Sequence, residues 1–506
     1  TALASDAGFA PALRNLGALA ISSAQFDSAV EYLEQAVGRD GDDALAWYYL
    51  GAAEIHRDNL DDAIEAAFKA VHANEQALGY DLAGRAYMRK GEYEKALQAF
   101  MQSSAYGSGN PRTADHIGMA LLALGRNNEA ITAANGEIAR RPFEYVPRLI
   151  HAYAENPDVE TQSLALELAS MAGEDEYTFI EAAAAFADCG LYRYAAHTLS
   201  MCQSILPGRP LPRYYAGYYR TRLGDAEGGT QEWIEAAGFG EADHVFPNRV
   251  ESVAVLESVL TRRPEDAFAA YLLGNLYAGL DRPEEAATAW KNAVESPGPW
   301  ASVAYRNLGL HAWKYQKDLA EADKYYRMAI SACETDQTLY RDLALVELAL
   351  DKPRKAIVTL TNMPETNARR LDTVVLLARA YLASEQLDEA LALLENTVFS
   401  NREGNTESWR LFHDAHMTRG KRFYEAGDYT AALADFQAAL TYPENLGVGR
   451  PLRAEEAEEH YWTGMTHQQL GNKKDARKAF KAGAQAPEGS SVQNEYKARC
   501  AEGLAR

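Results

Sequence analysis

AFAAYLLGNLYAGLDRPEEAATAWKNAVESPGP, residues 267–299, holds two short amphipathic helices and the turn between them. Leu273 and Gly274 are followed by Tyr277, then by Ala286, Trp290 and Ala293, and a proline closes the unit. Apolar residues three and four apart give each helix one face to bury. Neither helix can bury that face alone, so the unit needs neighbours of its own kind.

Most of the chain consists of imperfect copies of this stretch. A small residue where two helices cross recurs at Gly17, Gly51, Gly84 and Gly118, in steps of 34, 33 and 34. A larger side chain there would hold the helices apart. Twelve residues on comes a second small residue, at Ala29, Ala63, Ala96 and Ala130, and Leu33 and Phe100 fill the space between helices. Lys90-Gly91-Glu92 and Leu124-Gly125-Arg126 are turn signals between the helices of a unit. This order and spacing resembles the tetratricopeptide pattern, a helix–turn–helix repeat of about 34 residues.

The repeats run regularly over residues 1–141. Over 142–245 they degenerate: Pro142, Pro147 and Pro157 break the helical phase, while LIHAYAE and SLALELASMA still read as helices. The pattern returns with Ala183, Ala195 and Leu199, then Gly217, Gly229 and Trp233. FPNRVESVAVLESVLTRR, residues 246–263, reads as one additional helix. A second regular array, 246–400, carries Gly274, Gly309, Ala344 and Ala378. Residues 401–490 keep the repeat, with Gly420 and Gly464, but lengthen the loops at Ser400–Thr406 and Tyr442–Pro451. Residues 491–506 read as a capping helix. The expected fold is an all-α, right-handed solenoid of about thirteen helix pairs, some degenerate.

At the lengthened loops a narrower resemblance enters. YPENLGVGRP (442–451), leading into EEHYWTGMTHQQLGN, and VFPNRVESVAVLESVL (245–260) resemble the helical C-terminal half of a family of large bacterial proteins. In that family a β-sandwich domain, similar to galactose mutarotase and of uncharacterised function, precedes a long tetratricopeptide array. The likeness covers roughly residues 175–500. It implies that this chain is the helical half of a longer protein, in keeping with a start at Thr1 rather than methionine. It also implies a link to carbohydrate through that upstream domain, by analogy of fold alone.

The chain carries 50 Lys and Arg against 72 Asp and Glu, a net charge of −22. Such a chain repels phosphate backbones, and no basic stripe offsets the charge, which argues against nucleic acid. Cys189, Cys202, Cys333 and Cys500 lie far apart, with no zinc spacing, so a reducing, cytoplasmic setting is expected. No run approaches the length of a membrane span. Metalloprotease, phosphate-loop, nucleophile-elbow and dinucleotide motifs are missing, so no catalytic role and no cofactor are expected. His413 with His416, and His460 with His467, share helix faces, but no third ligand marks either pair as a metal site.

The first helix of each unit lines the inner groove. Its open positions lie three residues before, and one, four and five after, the crossing residue. They hold Arg85 and Arg89; Tyr214, Tyr218 and Arg222; Tyr271 and Asn275; and Arg306, Trp313 and Lys314. Aromatic and arginine side chains are the types that anchor interfaces. In the loop at 442–451, Glu444, Asn445 and Arg450 are placed to meet a partner domain. Chaperone-binding tetratricopeptide domains grip a terminal carboxylate with lysines and asparagines. Here Asn275 and Asn307 occupy the asparagine positions, but Tyr271, Thr338 and Asp342 replace the cations. The expected partner is therefore a different protein segment, or the chain's own upstream domain, held by a non-catalytic scaffold. The alternative is an accessory half of a carbohydrate-active enzyme.

Overall fold

The computed structural model describes residues 9–107, 111–156, 161–172, 175–239, 245–364, 370–400 and 404–505. Pro157 and part of the Ser400–Thr406 loop fall outside them. Among the described residues every regular element is a helix. Antiparallel pairs follow one another along the chain, from Ala10–Ser22 with Phe26–Arg39 to Ala457–Gln469 with Lys473–Ala484.

The pairs close as the spacing predicts. Gly17, Gly84, Gly217, Gly274, Gly420 and Gly464 each face a large side chain sixteen positions on: Leu33, Phe100, Trp233, Trp290, Phe436 and Phe480. A Cβ at any of them would stand within 3.0 Å of that side chain. Ala29, Ala63, Ala96 and Ala130 are fully buried opposite the crossing glycines. Aspartates start many helices. The Asp43 carboxylate accepts from the Ala46 N–H, and Asp266 and Asp428 do the same for Ala269 and Ala431. The turn inside a pair is a single left-handed residue, glycine at Gly91, Gly125 and Gly224 but Asp58, Asp281 and Asp351 elsewhere.

Two expectations shift. The helix expected at 246–263 begins only at Glu251. The Phe246 N–H and C=O both engage the Tyr177 hydroxyl at 3.1 Å, which holds the segment before Glu251 extended. Pro147 does not break its helix. It sits in the first turn of Tyr145–Glu155, where a missing N–H leaves no helical bond unmade. The final helix, Ser491–Ala505, packs on the last pair through two buried side chains: Cys500 lies against Gly483, and Gln493 accepts from the Ala457 N–H at 3.0 Å.

The chain divides into two compact units, residues 1–304 and 305–506. The division falls within the helix Ala301–His311.

Candidate functional site

In residues 1–304 the face formed by the first helices is largely occupied by the chain itself. Arg85 donates to Asp188 at 2.9 Å, across 103 residues of sequence. Burial acts to raise the Asp188 pKa, but the Arg85 guanidinium prevails and holds it at about 2. Arg89 donates to the Ile55 carbonyl at 2.7 Å and to Asp58 at 2.9 Å, and Arg222 takes the other Asp58 oxygen at 3.1 Å. Gly190 lies so close that a Cβ there would stand 3.2 Å from the Arg89 Cα. Arg282 reaches the Ser23 and Ala24 carbonyls at 3.3 Å. Helices Glu176–Asp188 and Pro210–Arg222 thus meet the helices that begin the unit.

Beside this contact remains a cavity of about 610 Å³, lined by Tyr48, Arg112, Phe143, Thr178 and their neighbours. Its arginines are neutralised within the wall. Arg112 meets Glu181 at 3.3 Å, Arg141 meets Asp115 at 2.7 Å and Arg249 meets Glu251 at 3.3 Å. Asp81 accepts from Thr113 and pairs with His116, both at 2.9 Å. Burial pushes the Asp81 pKa up, but His116 and Arg85 outweigh it and the carboxyl lies below its usual range. An incoming anion would have to displace the chain's own carboxylates.

The sequence-expected groove residues of this unit therefore separate. Tyr214 is fully buried, its hydroxyl 3.1 Å from Asp266, and Tyr271 is buried near the rings of Phe268 and Trp300. Both belong to the packing between repeats, because at these sites the position before the crossing residue faces the next pair. Tyr218 is half-buried with its ring 5.7 Å from that of Tyr219, and Asn275 accepts from the Trp290 indole at 3.0 Å. Arg85, Arg89 and Arg222 do reach across the face, and they hold this chain's own aspartates.

Residues 305–506 differ. Positions given by the same register line two open pockets. One, of about 470 Å³, is formed by Leu310, Trp313, Lys314, Lys317 and Leu319. The other, of about 520 Å³, includes Arg341, Leu345, Val375, Arg379 and Phe399. Arg306 donates to Asp342 at 2.8 Å. Arg370 and Arg341 bond Asp372, and together they hold its carboxyl at about 2 although burial opposes them. Arg379 pairs with Glu407. Arg341, Leu345, Val375 and Arg379 are not among the sequence-expected groove residues, which were taken from the repeats crossing at Gly84, Gly217, Gly274 and Gly309. The offsets of minus three and plus one, applied to Ala344 and Ala378, find Arg341, Leu345, Val375 and Arg379.

The loop at 442–451 is bound into its own unit. Leu446 is fully buried among Val374, Leu391, Phe399 and Leu411. The Asn445 amide donates to the carbonyls of Leu394, Glu395 and Thr397, so its side chain fastens the loop and is not offered to a partner. Arg450 pairs with Glu456, Nε to carboxylate 2.9 Å, and Glu444 is exposed. His413 bonds Asp414 and Glu459, while His416 bonds Asp435. Among the described residues no group of three or more His, Cys, Asp or Glu side chains is placed to hold a metal ion. No described helix is long and apolar enough to cross a membrane.

A tetratricopeptide repeat model matches residues 14–77, 251–299, 271–336, 375–445 and 417–491, more than half of the chain, and a second such model matches 78–104. Among solved structures, Pseudomonas aeruginosa PilF is 15% identical over 43% of this chain and 88% of its own, with a TM-score of 0.27. YrrB, described as a protein of this repeat with an unusual peptide-binding site, is 18% identical over 42% of this chain and 95% of its own, at 0.23. Yeast Tom70 is 14% identical over 94% of this chain and 99% of its own, also at 0.23. Similarity this loose carries nothing about what this chain binds.

Proposed function

The chain belongs to the tetratricopeptide repeat family, and from that premise we propose that it is a non-catalytic scaffold that holds an extended protein segment on the first-helix face of residues 305–506. The observation that carries this reading is the contrast between the two units. In residues 1–304 the corresponding side chains are engaged by the chain's own Asp58 and Asp188. In residues 305–506 the half-exposed Leu345 and Val375, from two successive first helices, line an open pocket together with the Arg379–Glu407 pair. Half-exposed leucine and valine give a segment apolar burial, and the solvent-exposed Arg379–Glu407 pair can exchange its carboxylate for one of the segment's.

The test is selection of peptides from a random library on the full chain, followed by fluorescence anisotropy. Selected peptides are expected to lose at least about tenfold in affinity with Leu345→Asp or Arg379→Ala, the scale of one anchor residue. Arg112→Ala, in the other unit, is expected to leave them unchanged. Peptides that bind all three variants equally, or a selection that returns no binder, would overturn the reading.

A further inference from the structure

One repeat of the second array breaks the spacing that its neighbours obey. Gly309 faces Tyr326, seventeen positions on instead of sixteen, and the small residue of its second helix, Ala322, lies thirteen on instead of twelve. The additional residue is absorbed as a π-helical turn, Ala312–Gln316, at the end of Ala301–His311. The Asp318 N–H bonds the Ala312 carbonyl at 2.9 Å, Lys317 turns the chain in the left-handed region at φ 60°, and the Asp318 carboxylate caps the next helix through Ala320 and Glu321. Single π-helical turns are rare and are frequent at functional sites. The widened turn sets Trp313 and Lys314 beside Leu310, Lys317 and Leu319, around the 470 Å³ pocket.

The pocket has apolar walls and a cationic edge. Leu310 is 45% exposed, as is the neighbouring Tyr315. The Lys314 ammonium stands 5.1 Å over the Tyr315 ring, and the Lys317 ammonium donates to the Lys314 carbonyl at 2.7 Å. Neither lysine is ion-paired among the described residues, in a chain of net charge −22 whose other inner-face arginines, Arg306, Arg341 and Arg379, all have carboxylate partners. Two uncompensated cations at the mouth of an apolar pocket complement a partner of opposite charge.

We propose that this pocket takes the bulky apolar side chain of an acidic peptide segment, with carboxylates flanking that side chain meeting Lys314 and Lys317. The inference rests on the reading that this face binds a protein segment, and it names the segment's chemistry. An aromatic ring suits the site best, since it buries the most area and stacks on Trp313. The lysines steer the approach, so the interaction weakens with salt.

Fluorescein-labelled fourteen-residue peptides test it on the full chain: one rich in Glu and Asp around a single Trp, one with Lys in place of the acids, and one acidic with Ala in place of Trp. The acidic Trp peptide is expected to bind, to weaken about tenfold between 50 and 300 mM NaCl, and to exceed both others by at least about tenfold. Trp313→Ala and the double variant Lys314→Glu/Lys317→Glu are each expected to remove that preference. The lysines are exposed, so the double variant tests the site without disturbing the core. Deleting Gln316 restores the common spacing and is expected to close the pocket, with loss of binding and an unchanged or raised melting temperature. Equal binding of acidic and basic peptides, or indifference to the lysine reversal, overturns the proposal. If library peptides still depend on Leu345 and Arg379 while the acidic Trp peptide fails, this inference falls and the scaffold reading stands. If neither class binds, both fall.

Discussion

Replacing Gly217 with alanine adds one methyl group at the tightest of the described glycine crossings. The new Cβ would stand 2.3 Å from the Trp233 Nε1, 2.5 Å from its Cδ1 and 2.6 Å from the Gly229 carbonyl oxygen. Trp233 cannot move aside cheaply. It is fully buried, and its indole N–H donates to the Tyr214 carbonyl at 3.0 Å. Overpacking costs about 1–3 kcal/mol, and a buried donor left without its acceptor about 1–3 kcal/mol more. The better helix propensity of alanine returns about 1 kcal/mol, so the net loss is about 1–5 kcal/mol. Gly118 is the control. Its added Cβ would meet only the ends of the Ile150 side chain, at 3.2 and 3.3 Å. A few tenths of an ångström suffice there, so propensity prevails and Gly118→Ala is neutral or stabilises by up to about 1 kcal/mol. Repeat stacks open locally, so the readout is amide hydrogen exchange at each site rather than one global transition. For Gly217→Ala, exchange in helices Pro210–Arg222 and Ala226–Gly238 should quicken by about fivefold or more, at tenfold per 1.4 kcal/mol. For Gly118→Ala, exchange in Pro111–Ala123 should be unchanged or slower. Equal protection in both variants, or greater damage at Gly118, would refute the argument that crossing distance rather than glycine content governs the stack.

Two further outcomes follow from the ionic contacts. Burial lowers the His413 pKa, but bonds to Asp414 and Glu459 outweigh it and lift the imidazole to about 9. Because the folded value lies above the unfolded one, this stabilisation is complete below about pH 6.5 and is lost as pH rises through about 9, at most about 3 kcal/mol. Urea midpoints across that range should fall for the wild type relative to His413→Gln, and parallel curves would remove the assignment. A double-mutant cycle of Arg85→Met and Asp188→Asn should give a coupling of about 1–2 kcal/mol in urea unfolding, since Arg85 is largely buried. The more exposed Arg222–Asp58 pair should give under about 0.5 kcal/mol. A null cycle at Arg85 would mean that the contact between the early and late helices of this unit contributes no stability.

The repeats were legible because what builds a pair lies close in sequence. Gly274 and Trp290, or Gly84 and Phe100, are sixteen residues apart, and helical periodicity alone sets one over the other. The additional helix that opens the 246–400 array is legible for the same reason, although it starts later than its pattern predicts, since Tyr177 holds Phe246 from 69 positions away. The one-residue excess between Gly309 and Ala322 was equally open to reading, in the spacing itself.

The availability of the first-helix face was not. Arg85, one after its crossing glycine, and Arg306, three before its own, were both expected on the open face, yet one meets Asp188 across 103 residues and the other meets Asp342 in the next repeat. Tyr214 and Trp313 were likewise expected on one surface, and one is in the core while the other lines a pocket. The sequence by itself determined the helix pairs, their crossings and their order, because those depend on contacts within about 34 residues. Only the tertiary structure decided which side chains stay open to a partner. That depends on small rotations accumulated over many repeats, which bring distant helices of the same unit together and which no local pattern records.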